Sequence, residues 1–269
     1  MPIHVVDSIT KLGPDAAGAV AIAASHGGVY AGYAAARVAL RGVIFSDAGV
    51  GLDRAGIASL PYLDALGMPA ASVDYRAARI GDGADLAQRG TISFCNEAAR
   101  ALGCKAGQPA LECAKLMLGA QTLSSGPPAY DEARTLLRAA SYAGEPEVWG
   151  IDSNSIVRPQ DAGMIVVTGS HGGLLGRKPE TALRVDALAA VYNDAGVGID
   201  DAGISRLPAL ARRNIAAATV DANSARIGEA RSTWETGILS HVNDLARSHG
   251  ARAGMSVPAF VDCIAKVTR

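Results

Sequence analysis

The tetrapeptide Ser25-His26-Gly27-Gly28 returns as Ser170-His171-Gly172-Gly173, and much of the chain returns in step with it. A shift of 145 residues carries His26 onto His171 and Asp7-Ser8 onto Asp152-Ser153. A shift of 147 carries Asp47-Ala48-Gly49-Val50-Gly51 onto Asp194-Ala195-Gly196-Val197-Gly198. The same shift relates Asp53 to Asp200, Leu60-Pro61 to Leu207-Pro208, Asp74 to Asp221, Arg79 to Arg226, and Asn96 to Asn243. So many ordered matches imply an internal duplication, which restricts the chain to two similar units side by side.

Within the first unit, short apolar runs at 3–6, 19–24, 42–46 and 69–74 read as strands. Between and after them, 29–40, 53–66, 91–102 and 109–118 read as helices. Asp53 is placed to cap the second of these, Pro61 to divide it, and Pro109 to open the last. Alternating strands and helices predict an α/β fold, mainly parallel, with helices on both faces and a pseudo-twofold between the copies. Whether the copies share one sheet or form two lobes is open at this level. The expected divisions are 1–118 and 148–269 as the two repeats, with a connector over 119–147. That connector contains Ser124-Ser125-Gly126-Pro127-Pro128 and a predicted helix over 130–142.

Composition narrows the function classes. A net charge of −1 supplies no global basic field for nucleic acid or an anionic membrane surface. No apolar run approaches the length of about 20 residues needed to span a bilayer. The opening MPIHVVDSIT lacks a basic segment followed by an apolar one, so a cytoplasmic location is expected. Cys95, Cys104, Cys113 and Cys263 form no C-x-x-C pair, so reduced thiols are expected and a structural zinc site is not. A small-molecule ligand is the expected partner, while self-association, any cofactor and any bound metal are left undetermined by the sequence. The G-x-G turns lack the third glycine of a dinucleotide fingerprint, since Arg54 and Asp201 stand there.

Residues kept in both copies supply the candidate site. His26 and His171 each lie just past the carboxyl end of a predicted strand, on the edge where open α/β sheets bind ligands. Either could act as a base near neutral pH, or simply fix its own turn by hydrogen bonding. Asp47 and Asp194 close neighbouring strands and could orient those rings, or cap their loops. The turns at Gly27, Gly28, Gly49 and Gly51, and at Gly172, Gly173, Gly196 and Gly198, could present backbone N–H groups to an anion. Arg79 and Arg226 could fork onto a substrate carboxylate or phosphate, or pair with a loop aspartate. Ser25 and Ser170 read as caps. Ser224 is a candidate nucleophile found only in the second copy, and the loops 75–90 and 222–237 have the length and glycine content of lids.

The resulting expectation is a small-molecule enzyme, a hydrolase of a polar or anionic substrate. His171, oriented by Asp194, would activate water or a nucleophile, the glycine turns would hold the oxyanion, and Arg226 would anchor the substrate. His26, Asp47 and Arg79 would complete this site or form a second one. The alternative is a non-catalytic metabolite-binding or regulatory protein that holds an anion at the glycine turns.

Overall fold

The structure is a computed structural model that describes residues 2–123 and 125–266. Ser124 of the connector motif lies outside the described residues. The first half runs β1 (Ile3–Val6), β2 (Val20–His26), α1 (Val29–Arg37), β3 (Gly42–Ser46), α2 (Ser59–Ala65) and β4 (Ala70–Val73). It continues through α3 (Gly83–Arg89), β5 (Ile92–Cys95), α4 (Glu97–Ala101) and α5 (Ala110–Met117). The second half runs β6 (Arg134–Arg138), β7 (Val148–Ile151), β8 (Ile165–His171), β9 (Ala189–Asn193), α6 (Arg206–Ala211) and β10 (Ala216–Val220). It closes with α7 (Ala230–Thr236), β11 (Leu239–Val242), α8 (Asp244–Ser248) and α9 (Val257–Ala265).

These strands form two sheets, not one. The first is ordered β1-β2-β3-β4-β5, and the second β11-β10-β9-β8-β7-β6. β1 to β4 are parallel, as are β7 to β10, while β5, β6 and β11 join antiparallel at the edges. This is an α/β fold of two mainly parallel sheets flanked by helices. The central strands are small and apolar on both faces, as strands covered on both sides must be. In β2 and β3, Ala21, Ala23, Val43 and Phe45 pack with the alanines of α1, while Val20, Ile22 and Ile44 pack with Cys113 and Met117 of α5. Small side chains let helix and sheet approach closely: a Cβ on Gly42 would stand 3.0 Å from that of Met117.

Three expected elements take another form. The stretch 91–102 is a strand followed by a short helix. Asn96 divides them, because its Oδ1 accepts from Ala99 N to cap α4 while also accepting from Ala70 N. The stretch 130–142 is not a helix but carries β6, which extends the second sheet by pairing with β7. Arg134 fixes that strand through two hydrogen bonds to the buried carboxylate of Asp161, at 3.0 and 2.8 Å, so an edge pairing overrides local helix propensity. Asp53 caps no helix: its φ is +52°, and α2 begins six residues later, with Pro61 in the first turn where a missing N–H costs nothing.

The halves meet through the repeated Asp-Ala-Gly-Val-Gly turns. Leu52 N donates to Ala222 O at 2.8 Å, and Ile199 N donates to Tyr75 O at 3.1 Å. Arg79 pairs with Asp200, and Arg226 with Asp53 at 2.8 Å. Ala48, Ala55, Ile80, Ala195, Ala202 and Ile227 form an apolar cluster at this seam. The loops 75–90 and 222–237 are therefore braces between the halves, and each ends in a helix, α3 or α7. No helix among the described residues is long and apolar enough to cross a membrane.

Candidate active site

β2 and β8 each end on a histidine, and their carboxyl ends open on one shared cavity. The His26 and His171 ring centroids lie 6.5 Å apart with their planes at 75°. Both histidines therefore line one cavity and not two separate ones. The cavity is about 100 Å³ and is lined by both histidines, Tyr30, Tyr130, Glu132 and Asp152, among others.

The protonation of the rings follows from their hydrogen bonds. Gly28 N donates to His26 Nδ1 and Gly173 N donates to His171 Nδ1, each at 3.1 Å. An Nδ1 that accepts cannot carry the proton, so each neutral ring carries it on Nε2. Burial holds both rings neutral. It lowers the pKa of His26 to about 4, and it holds His171 well below the ordinary value with help from the charge of Arg206. Neither Nε2 has a protein partner among the described residues. The pair is therefore two neutral N–H donors, suited to an oxygen that gains negative charge, and neither is placed as a base. Ser25 and Ser170 accept from Ile9 N at 3.0 Å and Asn154 N at 2.8 Å, so they fix the turns that follow β1 and β7.

The titrating group of the cavity is Glu132, which lies in the connector and has no counterpart in the repeat. Burial raises its pKa to about 7, and the nearby Asp152 carboxylate adds to the rise, while hydrogen bonds with Ser153 and Tyr30 oppose it. Tyr30 and Tyr130 place the segment that bears it. Tyr30, Tyr33 and Tyr130 form a three-ring cluster with centroids 5.8 to 6.2 Å apart, which holds the connector against α1.

The other expected site residues serve the framework. Asp194 does not reach His171. Its Oδ1 accepts from Gly196 N at 2.9 Å and Ala222 N at 3.0 Å, and Asp47 likewise accepts from Gly49 N and Tyr75 N at 3.2 and 3.0 Å. All the candidate glycine amides are already engaged. Gly28 and Gly173 bind the imidazoles, Gly49 and Gly196 the aspartates, and Gly27, Gly51, Gly172 and Gly198 backbone carbonyls. No such amide is left for an anion. Ser224 is a loop staple, donating to Asp221 O at 2.7 Å and accepting from Ile238 N at 2.9 Å. Arg79 and Arg226 are committed to Asp85, Asp200, Asp53 and Glu229 at the seam. Among the described residues no group of three or more His, Cys, Asp or Glu side chains is gathered as a metal site would need.

A framework role for Asp47 has a measurable consequence. Burial raises its pKa to about 6, against hydrogen bonds from Ser93, Tyr75 and Gly49. The folded state then holds this proton more tightly than the unfolded chain, so Asp47 contributes most at low pH and its contribution is lost as pH rises through 6. Asp47→Asn keeps an acceptor for both amides and has no charge to bury. It is expected to flatten the fall in stability between pH 4 and 7, followed by thermal unfolding across that range. Asp47→Ala strands two amides and is expected to lose about 2–4 kcal/mol.

The fold and site together define an α/β protein with a cavity at the carboxyl ends of its parallel strands, lined by polar and apolar groups alike. Compared with protein-family models, with curated proteins and with solved structures, the chain matches none.

Proposed function

We propose that this protein is a small-molecule enzyme, a hydrolase of a polar, carbonyl-bearing substrate, with one active site in the cavity shared by its two halves. The observation that carries this reading is the meeting of three groups there: two neutral imidazole N–H donors and a carboxyl that titrates near neutral pH. In this account the carbonyl oxygen lies between the two Nε2–H groups. Glu132, as carboxylate, takes a proton from water as its oxygen attacks the carbonyl carbon. The negative charge that develops on the carbonyl oxygen is held by the imidazoles, which need not move to meet it. Glu132 then returns the proton to the leaving group as the tetrahedral adduct collapses. A neutral imidazole opposite a carboxylate base is an established pairing for polarising a carbonyl.

The same proposal includes the duplication. Residues related by the 147-residue shift make reciprocal contacts, Leu52 to Ala222 and Ile199 to Tyr75, and Arg79 to Asp200 and Arg226 to Asp53. This supports two copies of one ancestral unit about a pseudo-twofold axis, each supplying one histidine.

The test is a panel of small polar amides, esters and lactones assayed for hydrolysis. Wild-type protein is expected to turn over at least one. His26→Asn and His171→Asn are each expected to lower its kcat by about 10²–10³-fold, the usual loss for one oxyanion donor. Equal turnover by both variants would remove the histidines from the chemistry and overturn the assignment.

A further inference from the structure

Beside His171 the cavity continues into a groove of about 360 Å³, which shares Ser8, Thr10, Ser153 and Ser170 with it and leads to Arg184 and Arg206. Arg206 is the unusual member. It is 2% exposed, yet no carboxylate pairs with it among the described residues. Its Nε donates to His171 O at 3.2 Å, its Nη1 donates to the carbonyls of Thr181 and Ala182, and its guanidinium lies 5.1 Å from the centre of the Tyr192 ring. Carbonyls and a ring face solvate a cation but do not neutralise it, and a buried charge without a counter-charge is costly. At the matching position the first half has Ser59, so this charge was not required by the shared framework.

The rest of the groove has the same sign. Arg184 is exposed and makes no ion pair among the described residues, and Lys11 reaches the groove while paired with Asp7 at 2.9 Å. Glu180, exposed, is the lone carboxylate of the lining. Glu132 lines the cavity but not this groove. The combined site is thus polarised, with a proton-transfer carboxyl in the cavity and cations beyond His171.

We propose that this groove is an oxyanion subsite, in which Arg206 and Arg184 hold a carboxylate or phosphate group carried by the substrate. The proposal rests on reading the adjoining cavity as the substrate site, and it narrows the substrate to a small anion whose charged end lies apart from its reacting carbonyl. An amide, ester or lactone bearing a terminal carboxylate or phosphate fits this arrangement. The groove's hydroxyls offer further donors to such a group.

Inorganic phosphate and malonate serve as probes, titrated calorimetrically into the full chain against sodium chloride at equal ionic strength. At least one is expected to bind saturably, and whichever binds better identifies the oxyanion. Arg184→Ala and Arg206→Gln are each expected to weaken that binding by at least about tenfold. If Arg206→Gln does not fold, as judged by circular dichroism, the Lys11→Ala/Arg184→Ala protein decides in its place. No saturable binding of either anion to wild-type protein overturns the subsite, as does affinity unchanged in the folded variants. Glu132→Gln separates the two claims. Anion binding is expected to persist in that variant, whereas hydrolysis that also persists would refute the catalytic reading and leave the subsite standing.

Discussion

Glu132→Gln is expected to lower kcat by about 10³-fold or more while the protein folds normally, within the range associated with loss of a general acid–base. Glutamine keeps the size and an acceptor oxygen but cannot exchange a proton. In wild-type protein kcat/KM should rise with pH to a plateau, with a midpoint near 7, because burial places the Glu132 carboxyl there and the proposed reaction uses its carboxylate form. The variant's residual activity should lack that step. Stability carries the opposite sign. Ionising Glu132 is disfavoured in the folded state, so its contribution is present below the unfolded value near 4.5 and lost as pH rises through about 7. Glu132→Gln is therefore expected to gain stability relative to wild-type at pH 8 compared with pH 5. A pH–rate profile of the two proteins checks both the loss and the midpoint. An unaltered profile in the variant would remove Glu132 from the reaction.

Gly49→Val is expected to destabilise the fold by about 4 kcal/mol, through backbone strain and overpacking together. Gly49 has a φ of +73°, and a Cβ there would stand 2.9 Å from Gly196 Cα and 3.0 Å from Gly196 N. Both are backbone atoms, in a turn that is itself left-handed from Ala195 to Gly198. The facing turn cannot retreat, because Asp194 clamps Gly196 N and Ala222 N. The site draws one histidine from each sheet, so a displaced seam should also separate the rings and abolish turnover. Urea unfolding measures the first effect. A change of less than about 1 kcal/mol, the scale of an ordinary surface substitution, would contradict the packing described at this seam.

Much of this architecture was legible because it depends on local pattern. The strand 42–46 and the placing of both histidines at the carboxyl ends of strands follow from apolar runs stopped by small polar residues and glycine, although β2 runs two residues further than its apolar run, through His26 itself. The edge strands were harder. Ile92 to Cys95 and Arg134 to Arg138 owe their form to a neighbouring strand and to distant partners, among them Ala70 and Met68 for Asn96 and Asp161 for Arg134. Local propensity contains no information about such partners. The histidines were legible as candidates, but their role was not. Whether an imidazole is a base or a donor depends on what its Nδ1 meets, and here that is the amide two residues along the same turn.

Glu132 escaped notice for a definite reason. Selecting residues kept in both copies finds what the shared framework requires, and Asp47, Asp194 and the glycines proved to be framework. Under the proposed duplication, chemistry at the junction need not be duplicated. In the proposed reaction it comes instead from what is unique: the connector's Glu132, and Arg206 where the first half has Ser59. The visible signal was asymmetry, a lone charge at an otherwise matched position and a carboxylate two residues after Tyr130 in the connector.

The central claim is a single cavity in which two buried imidazoles stay neutral and present Nε2–H together. Nitrogen-15 NMR of the histidine side chains, followed from pH 8 to pH 5, tests it without a substrate. The chain has five histidines, and His26→Asn and His171→Asn assign the two that matter. The account predicts that both rings remain in the neutral Nε2–H form throughout this range. Titration of either ring near pH 6.5, or a proton on Nδ1, would contradict it.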